Sequence, residues 1–385
     1  MTVLGNLIEQ VRGVSYKPED LHDTLNENSI VLLRANNIKD GELNFDDVVY
    51  VDKKKVVAKQ LLRAGDILIC ASSGSKELVG KAAYVDNDLP MTFGAFCKVV
   101  RPKSECPKYF GHYFNSPYYR ERISNYAAGA NINNIRNEHI DGLEITWPSL
   151  EKRHEVVTVL DKLSELIALR KEQLAKLDEL VKARFVEMFG DPVRNTMEWP
   201  CQSLNNLCDG IGDGLHGTPE YDSSGDYPFI NGNNLIDGRI VVTALTKMVS
   251  ESVYSNHFID IGKNAILISI NGTLGKLALY NGEQVMLGKS ACYCNLKDSL
   301  NRVFVFGVMS SDAFAEFLEN SATKSTIKNV GLKAIREYRL ILPPVELQNQ
   351  FADFVEQTNK TKLTIQASLD KLEVMKKALM QEYFG

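Results

Sequence analysis

Between positions 149 and 190 the apolar residues Val156, Leu160, Leu163, Ile167, Leu174, Leu177, Val181 and Met188 recur at four- and three-residue spacings, interrupted at Arg170 and Arg184. This is the heptad rhythm of a coiled coil, and it predicts one long helix with a seam for a partner helix. Over 343–385 the residues Val355, Ile365, Leu369, Leu372, Leu379 and Tyr383 keep the same rhythm, with Thr358, Lys362 and Lys376 at the remaining seam positions. Pro148 and Pro343-Pro344 stand where a helix tolerates proline, at its start, and Gly190 and Gly385 stand where helices stop. A helix of about 40 residues is roughly 60 Å long. Neither helix can bury its stripe alone. The other helix of the same chain is the partner at the highest effective concentration, ahead of a second copy.

The remaining segments, 1–148 and 191–342, carry a different pattern. Short apolar runs such as Asp66-Ile67-Leu68-Ile69-Cys70 and Asn264-Ala265-Ile266-Leu267-Ile268 predict buried strands. Turn-forming clusters cut them: Ser72-Ser73-Gly74-Ser75, Asn271-Gly272-Thr273 and the glycines from Gly210 to Gly214. A short helical pattern closes each segment, Tyr118 to Ser124 and Ala313 to Glu319. The fold class expected is α+β: two mixed, strand-rich heads, each followed by a long helix.

The order head–helix–head–helix is an internal repeat. Lys182-Ala183-Arg184-Phe185-Val186-Glu187-Met188-Phe189-Gly190 returns as Lys377-Ala378-Leu379-Met380-Gln381-Glu382-Tyr383-Phe384-Gly385, an offset of 195 residues. The match extends upstream through Pro148 and Pro343 to Ser116 and Ser311. In the heads it becomes patchy. Asn36-Asn37-Ile38-Lys39-Asp40-Gly41 answers Asn233-Asn234-Leu235-Ile236-Asp237-Gly238, and Gly80-Lys81 answers Gly275-Lys276. Two diverged copies of a unit of about 195 residues, related by a pseudo-twofold, are therefore expected.

Length and composition narrow the class. The chain of 385 residues, 44% hydrophobic and 24% charged, is large enough for two or three cores. No apolar stretch reaches the roughly 18 residues of a membrane span, and Met1 to Gln10 lacks the basic and apolar parts of a signal peptide. Seven scattered cysteines without a CxxC pair, and six dispersed histidines, support neither a disulfide framework nor a zinc site. A reduced, cytoplasmic protein is expected. The formal net charge is −5, and residues 1–148 carry 18 Lys/Arg against 19 Asp/Glu while 191–342 carry 13 against 16. Binding to phosphates by bulk charge is thereby disfavoured. Any nucleic-acid contact falls to local loops beside a more basic partner.

No catalytic constellation emerges. Gly74 to Gly80-Lys81-Ala82 has one residue too many for a phosphate-binding P-loop and lacks the hydroxyl after lysine. Gly210 to Gly217 is glycine-rich without the strand-to-helix context of a dinucleotide site. Asp20 with Asp52-Lys53-Lys54 matches a nuclease acid-acid-lysine pattern only as a chain with 49 acids will by chance. The chain is expected to be non-catalytic, with no metal ligands and no cofactor of its own. Two pairs of loops do carry candidate chemistry. Asn131, Asn133, Asn134 and Arg136 in the first copy occupy the place of Lys324, Thr326, Lys328 and Asn329 in the second. Ser73, Gly74, Ser75 and Lys76 likewise answer Asn271, Gly272 and Thr273. Amides, hydroxyls and cations are the groups that hydrogen-bond base edges and phosphates, although Asn, Gly and Ser are also plain turn formers.

At the head–helix boundaries the sequence resembles the specificity (S) subunits of bacterial type I restriction–modification systems. The resemblance rests on Trp147-Pro148-Ser149-Leu150-Glu151-Lys152-Arg153, Leu342-Pro343-Pro344-Val345-Glu346-Leu347-Gln348, Phe189-Gly190-Asp191-Pro192 and Phe384-Gly385. Asp213-Gly214-Leu215-His216-Gly217-Thr218-Pro219 and Thr92-Phe93-Gly94-Ala95-Phe96 also look like segments of that family. The resemblance implies target-recognition domains at 1–148 and 191–342, and spacer helices at 149–190 and 343–385 packed as an antiparallel coiled coil. It further implies that each head reads one half of a bipartite site in double-stranded DNA. The helices would set the spacing and dock two DNA methyltransferase subunits, and through them restriction/translocase subunits. S-adenosylmethionine, ATP and Mg would belong to those partners. The competing expectation is a non-catalytic coiled-coil scaffold presenting two protein-binding heads.

Overall fold

The computed structural model describes every residue except Lys76, 129–133 and Val193, with backbone only for Ala127 and Ala128. It divides into two compact units, Met1–Glu172 with Gln366–Gly385, and Gln173–Ile365. The division falls inside the long helices, so each unit takes one head with part of each helix.

In the first unit an antiparallel sheet runs in the order Ile8–Arg12, Cys97–Pro102, Ile67–Cys70, Ala82–Tyr84. Its central strand, Ile67–Cys70, is buried along its whole length, which is why it reads as a continuous apolar run rather than an alternating one. A second sheet holds Met91–Phe93, Ser29–Leu33, Val49–Asp52 and Leu21–His22, with Met91–Phe93 parallel to Ser29–Leu33. The second unit repeats this topology. Cys208–Asp213, Ala291–Leu296, Ala265–Ser269 and Leu277–Leu279 form its antiparallel sheet in the corresponding order, and Met286–Leu287 lies parallel to Tyr227–Ile230 in the other. The repeat thus reaches through both heads, including the stretches where sequence identity fades.

The turn chemistry is shared as well. Ile38–Lys39 and Glu42–Leu43 form a hairpin, as do Leu235–Ile236 and Arg239–Ile240. Both two-residue loops are Asp-Gly with positive φ at each residue: Asp40 (53°) and Gly41 (88°), Asp237 (48°) and Gly238 (76°). That is the geometry whose twist suits a tight hairpin, and glycine adopts it without strain.

The helical patterns at the end of each head become Pro117–Ala128 and Asp312–Ser321. A further helix precedes each, Pro107–Phe114 and Arg302–Met309, which the hydrophobic pattern did not indicate. Each is only eight residues, about two turns, which is shorter than the window over which a 3.6-residue rhythm stands out.

The long helices span Leu150–Phe189 and Val345–Phe384. Within each unit their segments run antiparallel. In the first unit Lys171 pairs with Glu373 at 3.1 Å, while Val156 and Leu160 share a core with Met380 and Phe384 nearer the opposite ends. In the second, Asp178 pairs with Lys362 at 2.6 Å and Phe185 meets Phe351 with ring centroids 5.4 Å apart. Of the expected seam residues, Val156, Leu160, Leu163, Ile167 and Leu369 are buried, and Leu174, Leu177, Val181, Val355, Ile365, Leu372 and Leu379 are half-buried. The deepest residues near the helix ends lie partly off that stripe. Phe185, Phe189, Phe351, Met380 and Phe384 turn toward the heads. Phe189 packs against Phe185, Phe304 and Phe351, and Phe384 against Tyr109 and Tyr113. Each helix start is tied by an equivalent long side chain: Arg153 donates to the Pro148 carbonyl (2.6 Å) and Gln348 to that of Pro343 (2.8 Å).

Candidate nucleic-acid interface

At one end of each head four backbone segments lie side by side. In the second unit the first link is to Ile270, whose carbonyl accepts the amide of Val330 (2.9 Å) and whose own amide donates to Ser290 O (3.0 Å). The series continues as Lys289 N donates to Leu215 O (3.1 Å) and Leu215 N to Leu287 O (2.8 Å). In the first unit the same four places are held by Ile135 N to Ala71 O (2.7 Å), Ala71 N to Phe96 O (2.9 Å), Ala95 N to Val14 O (2.9 Å) and Val14 N to Phe93 O (2.7 Å). Isolated bridges complete the correspondence, Ser72 with Asn134 and Asn271 with Asn329, then Val14 with Gly94 and Leu215 with Gly288. The closeness of these segments explains the glycines that precede the edge segment. A Cβ on Gly13 would lie 2.2 Å from Gly94 O, and one on Gly214 would lie 2.0 Å from Leu287 O.

These bonds bring the two loops singled out in each copy onto one platform. Asn271 donates through Nδ2 to Asn329 Oδ1 (3.1 Å), and Gly272 N donates to Lys328 O (2.9 Å). Gly272 and Thr273 are exposed at the tip. Buried Ser269 pins that tip from below, donating to Thr273 O (2.7 Å) and accepting from Lys276 N (2.8 Å). Thr323 Oγ1 accepts the amide of Asn329 (3.1 Å), which orders the loop carrying the exposed Lys324 and Thr326. Lys328 is less available, because its ammonium is paired with Glu319. In the first unit Ser73 is half-buried and accepts from Ser75 N (3.2 Å), with Gly74 and Ser75 exposed. Asn134 and Arg136 are exposed, and Arg136 lies 3.5 Å from Glu138. Lys76, Asn131 and Asn133 lie outside the described residues. The acid-acid-lysine coincidence dissolves into structure: Asp20 pairs with Lys55 at 2.9 Å, and Asp52 accepts from Lys54 N to cap a short helical turn.

The platform also holds residues that the sequence analysis did not place on a reading surface. Phe96 is 72% exposed, Lys289 is exposed, and the His216 ring bonds Asp213 at 2.8 Å while its side chain stays 70% exposed. For Phe96 and His216 the available signal was their position in the two head segments that resemble the family; Lys289 lies in neither and carried no such signal. Behind the first platform sits a polar network. Lys98, 7% exposed, donates to Gln10 Oε1 (3.0 Å) and to Asn137 Oδ1 (2.8 Å), and Asn137 opens the helix directly after Arg136. Burial lowers the Lys98 ammonium to about 8, against the opposing pull of Asp141 and Glu138. A lysine is easier to protonate in the unfolded chain than here, so this residue costs stability below pH 8 and the cost fades between about pH 8 and 10.5. The difference in unfolding free energy between the wild type and Lys98→Met, followed from pH 7 to 10.5, is expected to shift in favour of the wild type as pH rises. A flat difference would contradict the assignment.

Exposed amide, hydroxyl and cationic groups on backbone held by its own hydrogen bonds can meet base edges and phosphates with little ordering cost. Among the described residues no group of His, Cys, Asp and Glu could hold a metal ion, and no helix is long and apolar enough to cross a membrane.

Comparison with known proteins agrees with this architecture. A family model described as the type I restriction modification DNA specificity domain matches twice, over residues 14–179 and 198–374. The chain is 27% identical over 370 residues to the type I restriction enzyme StySPI specificity subunit of Salmonella potsdam, covering 90% of this chain and 79% of that one. It is 28% identical over 368 residues to the EcoKI specificity subunit of Escherichia coli K12, with the same coverage. Its fold matches a chain of a solved type I R-M system (TM-score 0.56, 17% identity, covering 98% and 97% of the two chains). It also matches the S subunit of M. genitalium (TM-score 0.55, 14% identity, covering 100% and 95%). With both repeats matched, the chain belongs to the type I restriction modification DNA specificity domain family.

Proposed function

We propose that this chain is the DNA-reading subunit of a type I restriction–modification complex, each head recognising one half of a bipartite duplex target. The observation that carries this reading is the platform itself. The same four hydrogen-bonded segments recur in both heads, while the side chains they expose differ. A constant scaffold with variable tips is what two readers of two different half-sites need.

The two long helices set the distance between half-sites and dock two methyltransferase subunits, which in turn bring restriction/translocase subunits. Near-neutral heads fit a complex in which the partners supply most phosphate-binding charge. This chain itself is non-catalytic. S-adenosylmethionine, ATP and Mg are used by the partners, and the complex works in the cytoplasm.

The test is duplex binding by the full chain, with and without the methyltransferase subunits, against a library of split sequences. Enrichment of one motif of two short half-sites around a fixed gap is expected. Enrichment of none, with an active methyltransferase present, would favour the protein-binding scaffold instead.

A further inference from the structure

The two platforms can be superimposed place by place through their shared hydrogen bonds. Ala95 N and Lys289 N donate to the equivalent carbonyls of Val14 and Leu215, and the next residues, Phe96 and Ser290, offer their carbonyls to Ala71 and Ile270. Phe96 thus occupies the place of Ser290, Ala95 that of Lys289, and Ser15 that of His216. The chemistry at these places is opposite. In the first head an aromatic ring projects, 72% exposed, from backbone held by two bonds, since Phe96 O accepts both Ala71 N (2.9 Å) and Ser72 N (3.0 Å). In the second head the corresponding serine is turned inward, accepting Gly232 N at 3.1 Å. The neighbouring Lys289 is exposed and its ammonium has no ion-pair partner among the described residues.

Resting on the DNA-reading function proposed above, we infer that Phe96 and Lys289 contact the target duplex, Phe96 as a specificity determinant, and that the two heads present different chemistry at adjacent places of one shared segment. A ring held outward among loop amides meets duplex DNA as an apolar group, suited to a thymine methyl or a base face. A lone ammonium beside backbone of fixed course donates to the acceptors of a guanine edge or to a phosphate. Side-chain packing gives no competing reason for either residue. An exposed phenylalanine has a cost in solubility and gains nothing from the core, and an unpaired lysine contributes no ion pair.

The test uses the full chain assembled with its methyltransferase subunits, methylating duplexes that vary one base pair at a time through each half-site. Phe96→Ala is expected to lose discrimination at one base pair of one half-site by about tenfold, without changing the salt dependence of binding, and Phe96→Tyr is expected to retain it. Lys289→Ala is expected to act on the other half-site and to reduce the slope of log affinity against log salt by about one if the contact is a phosphate. If the contact is a guanine edge, discrimination at that base pair is lost instead. Both side chains are exposed, so the melting temperatures should match the wild type and confirm folding. Unchanged discrimination and slope in both variants would overturn the inference. A wild-type complex that methylates without sequence preference would overturn the parent reading, which keeps the two failures apart.

Discussion

Replacing Phe189 with alanine is expected to destabilise the second unit by about 3–5 kcal/mol, the range for removing a fully buried aromatic side chain. Its ring has no exposed surface and sits 4.8 Å from Phe304, 5.1 Å from Phe185 and 5.6 Å from Phe351, centroid to centroid. Three of these four rings come from the two long helices and one from the head, so the cluster joins all three elements. The backbone takes part as well, since the Trp199 indole donates to Phe189 O at 3.1 Å. Alanine leaves a cavity with rigid rings around it, and rings cannot relax into it as flexible aliphatic chains do. Phe189→Leu keeps most of the volume and should cost less than half as much. Urea unfolding followed by circular dichroism measures both. A loss below about 1.5 kcal/mol for the alanine variant would mean that the helix end is held elsewhere.

Shortening both long helices by one heptad at facing positions is expected to change the gap between half-sites and leave both half-site sequences intact. Seven residues shorten a helix by about 10 Å, which corresponds to about three base pairs of duplex at 3.4 Å each. The heptad preserves the seam, because the apolar stripe returns in phase after seven positions. Removing four residues from each helix should act differently, rotating the remaining seam residues away from their partners and costing stability outright. The target motif of each shortened chain, read from methylation in cells carrying the methyltransferase, decides the matter. Altered half-sites, or an unaltered gap in a folded complex, would contradict the ruler.

Much of this architecture was legible in the sequence, for identifiable reasons. The heptad stripe is a local pattern, whereas Asp40-Gly41 and Asp237-Gly238 were legible as repeated segments and not as the hairpin turns they form. The repeat exposed both copies at once. What stayed hidden depends on contacts far apart in the chain. Ile135 joins Ala71, and Leu215 joins Leu287 and Lys289, through backbone hydrogen bonds that leave no periodic trace in side chains. Phe96 therefore read as a member of a family segment and not as a neighbour of the Ser73 loop, and nothing in the sequence tied Lys289 to the Asn271 loop. Phe185, Phe189 and Phe384 were partly hidden for another reason. A heptad reading assigns residues to a partner helix, whereas these anchors face the heads. The His112–Asp161 pair, 2.8 Å apart between a head helix and the first long helix, was invisible too; the equivalent places in the second copy hold Gly307, packed against Phe185 and Phe351, and Glu356, paired with Lys360.

A DNA specificity subunit chooses the sequence on which its complex acts. The most direct measurement is a genome-wide map of N6-methyladenine in the host with and without the gene. Loss of methylation at one split motif, two short half-sites around a constant gap, is the result predicted here. An unchanged map in cells whose methyltransferase partner is demonstrably active would contradict it.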